Sequence, residues 1–214
     1  IEAHKKAILL KPDYAEAYNS LGNAYKDTAK LDKAIQAYKH CIFLKPNFYY
    51  AHYNMGKIFQ DQNKLDKAID AYKKSILFKT DYAEAYNNMG NVLQDQGKFD
   101  EALVSYNQAI TIKPEYDEAY FNMGIALKEQ GKLDASISLY KKAINLNPNN
   151  AKAYNNIGLV LQELGKLDQA IDVYKKSISI NPNNADFHKN LSFVLLNSHR
   201  IKEGLEEYEW RWKT

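Results

Sequence analysis

Asn54, Asn88, Asn122, Asn156 and Asn190 stand 34 positions apart, one after another. A carboxamide both donates and accepts hydrogen bonds, as the main chain of a peptide does. Amides held in register could therefore bind an extended segment without reading its side chains, each bond contributing a net of about 0.5 to 1.5 kcal/mol. Inside a helix asparagine is about 0.5 kcal/mol worse than alanine, so its return at one place implies hydrogen-bonding work. Two kinds of work stay open: bonds across a groove to a ligand, or bonds to the neighbouring structural unit, the usual fate of a buried polar group. The preceding residues drift through Asn19, Tyr53, Asn87, Phe121, Asn155 and Lys189 while the amide persists. That contrast favours a shared role, structural or functional.

Acids accompany the amides. With Ala15 as position 1 of a 34-residue unit, position 13 reads Asp27, Asp61, Asp95, Glu129 and Glu163, and position 2 supplies Glu16, Glu84, Glu118 and Asp186. Positions 2, 6, 9 and 13, which also include Asn23 and Asn91, carry nine acids against Lys57 and Lys152, a net of −7 that leaves +10 to the rest of a chain totalling +3. Such a sign separation can steer a ligand, and it would favour a basic or Ser/Thr-rich segment. The alternative is a solvated face whose acids are answered by nearby lysines.

Other chemistries find little support. No His lies near a Ser, Cys or paired acid in a repeating register, and no glycine-rich phosphate loop is present, so no enzyme is expected within these residues. The five His are scattered without metal-ligand spacing, and no metal or other cofactor is expected. Lys and Arg spread through the units instead of forming the basic face that nucleic acid requires. Cys41 is the single cysteine, which excludes an internal disulfide and is compatible with a reducing compartment, the cytoplasm being favoured. No apolar run approaches the roughly 20 residues of a membrane span. Ile1 falls in mid-pattern, so a natural N-terminus with any targeting signal is expected to lie upstream.

The elements that position the amides follow from the period. Residues 1–14 form the tail of one unit, five full units span 15–48, 49–82, 83–116, 117–150 and 151–184, and 185–214 form a divergent last unit, together one repeat domain over 1–214. A period of this length marks a stacked array in which each unit buries its apolar face on its neighbours. Tyr86, Met89, Gly90 and Leu93 mark one face of a first helix, and Ala102, Leu103, Tyr106, Ala109 and Ile110 one face of a second. Gly97, Gly131 and Gly165 suit the left-handed residue after the first helix. Asp32, Asp66, Asp100, Asp134 and Asp168 are expected to cap the second. Pro46, Pro114, Pro148 and Pro182 are expected to stop it, Thr80 being the exception.

Aromatic 4, Leu 7, Gly 8, Ala 20, aromatic 24, Ala 27 and Pro 32 together resemble the tetratricopeptide repeat along the whole chain. The resemblance implies an all-α, right-handed superhelical solenoid of helical hairpins, with first helices lining a concave groove. The amide series resembles the asparagine ladder of O-linked N-acetylglucosamine transferases. The carboxylate clamp of chaperone-binding relatives lacks its cations, because Asn87 and Asn156 stand where Lys and Arg are needed.

The implied function is a scaffold binding a protein or peptide in the groove. The implied site comprises Asn54, Asn88, Asn122, Asn156, Asn190, Asn23, Asn91, Glu84, Glu118, Asp61, Asp95, Glu129 and Glu163. Tyr208 to Trp212 resemble the close of repeat regions in bacterial proteins that continue into a transferase-like domain. This gives an alternative in which the repeats recruit substrates for a catalytic domain beyond Thr214. Trp210 falls where other units face water, and two readings stay open for it: docking with Trp212 against such a domain, or capping the last hairpin. Apolar Ile1, Ala7 and Ile8 are expected to permit self-association through the terminal repeats.

Overall fold

The computed structural model describes residues 1–212, with side chains through Trp210. The expected all-α class is observed, with 13 α-helices and no strand among the described residues. The helices divide between two compact units, Ile1–Pro114 and the part from Glu115 onward.

The first unit holds α1 (Glu2–Leu10), α2 (Ala15–Asp27), α3 (Leu31–Leu44), α4 (Tyr49–Asp61), α5 (Leu65–Phe78), α6 (Ala83–Asp95) and α7 (Phe99–Ile112). The second holds α8 (Asp117–Glu129), α9 (Leu133–Leu146), α10 (Ala151–Glu163), α11 (Leu167–Ile180), α12 (Ala185–Asn197), α13 (Ile201–Tyr208) and a 3-10 turn over Glu209–Trp212. From α2 onward the helices pair as antiparallel hairpins, and within each unit consecutive hairpins pack on one another.

Packing explains the glycine and tyrosine periods together. Tyr38, Tyr72, Tyr106, Tyr140 and Tyr174 are fully buried, each against the glycine of its own hairpin's first helix. A Cβ built on Gly90 would lie 2.6 Å from Tyr106 Cε1, so the ring occupies the space that any side chain at 90 would need. Burying such a ring contributes on the order of 2 kcal/mol. Around the rings, Ala34, Cys41, Ala51 and Ile58 build one core in the first unit, and Ile157, Leu161, Ile171, Leu191 and Leu195 build another in the second. Burial pushes the Cys41 thiol up to about 11, which keeps it protonated among apolar neighbours.

Gly97, Gly131 and Gly165 have φ of 73°, 72° and 72°, the left-handed conformation expected of them. Ala29, Asn63 and His199 hold the same place in their hairpins with φ of 55°, 54° and 58°, so the turn is imposed even where the residue resists it. In the first hairpin Lys30 N–H donates to the Tyr25 carbonyl at 2.9 Å and Ala29 N–H to the Lys26 carbonyl, which closes α2 in a Schellman-type turn.

This tight turn corrects the expected aspartate caps. The N-cap residues of α3, α5, α7, α9 and α11 are Lys30, Lys64, Lys98, Lys132 and Lys166, none with a side-chain cap bond. Asp32, Asp66, Asp100, Asp134 and Asp168 sit inside the first turn, where a carboxylate favours the positive end of the helix dipole. Side-chain capping belongs instead to Asn150 and Asn184, which accept from Ala153 N–H at 3.0 Å and Phe187 N–H at 3.2 Å. At the other end, α5 stops at Phe78 with Lys79 as extended as Lys45, although Thr80 stands where Pro46 does. Proline therefore reinforces a stop that the stacking already sets.

Candidate functional site

One face of each first helix carries the amides. Glu84, Asn88, Asn91 and Asp95 share it on α6 by their i, i+4, i+7 and i+11 spacing. Glu84, Asn88 and Asn91 are half-buried and Asp95 is exposed as a residue, though partial desolvation of its carboxyl raises that group's pKa. On α8 the same places hold Glu118, Asn122, Ile125 and Glu129, and on α10 Lys152, Asn156, Leu159 and Glu163.

Asn54, Asn88 and Asn190 bond to the preceding hairpin. Asn54 Nδ2 donates to Asn23 Oδ1 at 3.1 Å, Asn88 Nδ2 to the Tyr53 hydroxyl at 3.0 Å, and Asn190 Nδ2 to Asn155 Oδ1 at 2.9 Å. Asn122 is half-buried and engaged with the protein. Each carboxamide has capacity beyond one bond, and each of the five is partly exposed. At position 5, Tyr53 and Asn155 are the acceptors for the next hairpin's amide, whereas Asn54 uses Asn23 at position 9.

A second set of bonds lies beneath. The buried tyrosine of four hairpins donates to an amide of its own first helix: Tyr38 to Asn23 at 2.7 Å, Tyr72 to Gln60 at 2.9 Å, Tyr106 to Asn91 at 2.8 Å and Tyr174 to Gln162 at 3.2 Å. In the 117–150 hairpin those places hold Ile125 and Lys128, and the buried Tyr140 hydroxyl has no hydrogen-bond partner among the described residues. Burial raises the pKa of this phenol, the nearby Asn156 amide tempers the rise, and neither group completes a bond of good geometry with the other.

The acids are answered unevenly. Glu16 pairs with Lys45 at 3.0 Å, Glu84 with Lys113 at 3.6 Å and Glu129 with Lys128 at 3.3 Å. Exposed pairs of this kind contribute no more than about 1 kcal/mol. Asp61, Asp95 and Glu163 form no ion pair among the described residues, so the acidic rim keeps unspent charge.

An aromatic cluster in the first unit was not foreseen. Tyr49 and Tyr50 lie 4.2 Å apart with planes inclined 30°, Tyr82 meets Tyr50 edge-on at 5.7 Å and lies tilted 4.9 Å from Tyr53, and Lys79 Nζ lies 4.9 Å from the Tyr49 ring centre. Tyr50, Lys79, Glu84 and Lys113 border a concavity of about 620 Å³. The signal for it was Tyr50 itself, an aromatic at a position that is acidic in four units.

At the C-terminal end the Trp210 ring stacks on buried His188, with centroids 4.0 Å apart and planes inclined 10°. His188 Nδ1 meets the Glu207 carboxylate at 2.5 Å and its Nε2 meets the Pro182 carbonyl at 2.9 Å. Trp210 thus covers its own last hairpin. The side chain of Trp212 lies outside the described residues. On α1 the fully apolar exposure is at Leu9 and Leu10, while Ile1, Ala7 and Ile8 are half-buried.

Tetratricopeptide repeat profiles match residues 56–97, 90–131 and 126–165, then 15–48 and 151–184, and a further one 173–206. The chain belongs to the tetratricopeptide repeat family. That fold is generally a non-catalytic protein-interaction scaffold, and this tetratricopeptide protein has its architecture. Among solved structures it is similar to YrrB, described as a tetratricopeptide protein with an unusual peptide-binding site, with a TM-score of 0.72 at 22% identity over 92% of this chain and 98% of that one. It is similar to MamA, with a TM-score of 0.71 at 28% identity over 80% of this chain and 94% of that one. It is also similar to PilF of Pseudomonas aeruginosa, with a TM-score of 0.81 at 20% identity over 93% and 90% of the two chains. Comparison with curated proteins gives no match. Among the described residues no group of three or more His, Cys, Asp or Glu is placed to hold a metal ion, and no helix is long and apolar enough to cross a membrane.

Proposed function

We propose that this tetratricopeptide protein is a scaffold that binds an extended segment of a partner protein along the amide-bearing faces of its first helices. The observation that carries the reading is the half-exposure of Asn54, Asn88, Asn122, Asn156 and Asn190 on faces whose rims are acidic. A peptide main chain offers these carboxamides alternating donors and acceptors, and Asp61, Asp95 and Glu163 favour Lys or Arg beside it. The peptide-binding site by which YrrB is described, on a chain of the same fold, supports the assignment.

The test is a pull-down with the whole chain and with Asn88→Ala/Asn122→Ala/Asn156→Ala, read by mass spectrometry and followed by titration of the captured segments. Loss of basic or Ser/Thr-rich partners from a variant that keeps its helicity is the expected result. Unchanged binding at unchanged stability would sink the amide-column reading.

A further inference from the structure

Resting on that reading, we infer that the second unit does more than hold main chain: it selects apolar side chains through the column Ile125, Leu159 and Phe193. Position 9 differs between the two units. In the first it is polar, Asn23, Lys57 and Asn91; in the second it is apolar in all three first helices. Ile125 and Leu159 are half-buried against the core, and Phe193 is 46% exposed although a polar residue would suit such a place. Each lies one helical turn from the amide of its own helix, Asn122, Asn156 or Asn190. The surface therefore offers an amide for main chain beside an apolar patch for the side chain it carries.

A second observation shows that Ile125, with Lys128 a turn on, has a cost inside the protein. Where Asn23 and Asn91 receive the hydroxyls of Tyr38 and Tyr106, Ile125 receives nothing, and Tyr140 is left fully buried with its hydroxyl unpartnered. A buried donor without an acceptor opposes folding, so the apolar choice at 125 is not the one that stability alone favours. Phe121 adds to the same patch, its ring 5.8 Å from that of Tyr140. Near this hydroxyl, the half-exposed Asn156 amide completes no bond with it and so keeps a donor and an acceptor that a peptide main chain can use.

The occupant is an extended segment with aliphatic or aromatic side chains on one edge and Lys or Arg on the other. Charge complementarity fixes the second edge, since among the described residues exposed Glu163 has no ion pair and Glu129 pairs only with its neighbour Lys128.

The test uses the whole chain and an array of synthetic peptides with two lysines flanking a varied pair of central residues, Leu, Phe, Ser or Asn. Leu and Phe peptides are expected to bind at least about tenfold more tightly than Ser peptides. Ile125→Asn/Leu159→Asn/Phe193→Asn is expected to bind all four alike, with circular dichroism reporting the fold. Phe193→Asn alone, at an exposed site, serves if the triple variant fails to fold and is expected to narrow the preference at least threefold. Ile125→Asn is further expected to raise the melting temperature by giving Tyr140 its acceptor. Equal binding of Leu and Ser peptides by the parent chain, or a preference that survives the substitutions, overturns the inference and leaves the amide column standing. If no peptide binds the parent chain, both readings fall.

Discussion

Trp210 lies flat on His188, 4.0 Å between ring centres, while His188 holds Glu207 through one nitrogen and the Pro182 carbonyl through the other. His52 occupies the same register, with its Nε2 2.9 Å from the Pro46 carbonyl, but among the described residues it pairs with no carboxylate. The repeat thus provides its own control: one histidine packs without a carboxylate partner, and the other ties α13 and the turn after it to α12.

Replacing Trp210 by Ala is expected to loosen this terminal cap by about 1 to 3 kcal/mol. Amide exchange of residues 201–208 should accelerate with little change in α2 to α5. Exchange of residues 201–208 unchanged from the parent would show that the stack contributes nothing.

Gly90→Ala is expected to destabilise the first unit by about 1 to 3 kcal/mol or more, since the new methyl would lie 2.6 Å from the Tyr106 ring. Gly131→Ala meets no atom within 4 Å, so its cost of about 1 kcal/mol comes from φ alone. Urea titration of the two variants separates a packing cost from a backbone cost.

Ala29 holds φ of 55° where three other hairpins place glycine. Ala29→Gly should therefore stabilise by roughly 0.5 to 1 kcal/mol, less the entropy that glycine adds to the unfolded chain. A lower melting temperature for the variant would contradict the strain assigned to this turn.

His52 is buried, and desolvation lowers its pKa below the ordinary value, opposed by the Pro46 carbonyl and aided by Lys74. The unfolded chain then binds a proton more readily than the folded one, so stability is present above the ordinary histidine pKa of about 6.5 and is lost as pH falls through it. Melting temperatures between pH 7.5 and 5 should fall less steeply in His52→Phe than in the parent.

The Asn54 and Asn23 side chains form a direct bond between hairpins. A double-mutant cycle to Ala is expected to give a coupling of about 0.5 to 1.5 kcal/mol. Because Asn23 also accepts from Tyr38, its single variant should cost more than that of Asn54.

Much of the fold was legible because packing repeats with the chain. Gly90 with Tyr106 and Gly158 with Tyr174 are paired by contact, so the period that shows one shows the other. The capping aspartates were misplaced because the left-handed turn at residues such as Ala29 leaves no room for a cap, which local composition does not reveal. The amide column was visible, yet its partners were not. Tyr53 and Asn155 serve Asn88 and Asn190 although their side chains differ, since a hydroxyl and a carbonyl accept equally well.

The sequence by itself determined the helices, the hairpins and the positions that return in every repeat, because periodic burial writes itself into residue type. Tertiary structure alone decided which amides are already spent on a neighbour, which tyrosine hydroxyl is left without an acceptor and where Trp210 rests. Hydrogen bonds and ring contacts depend on distances between atoms from different helices. Those distances are set by how the hairpins stack, and a spacing of 34 residues does not encode them.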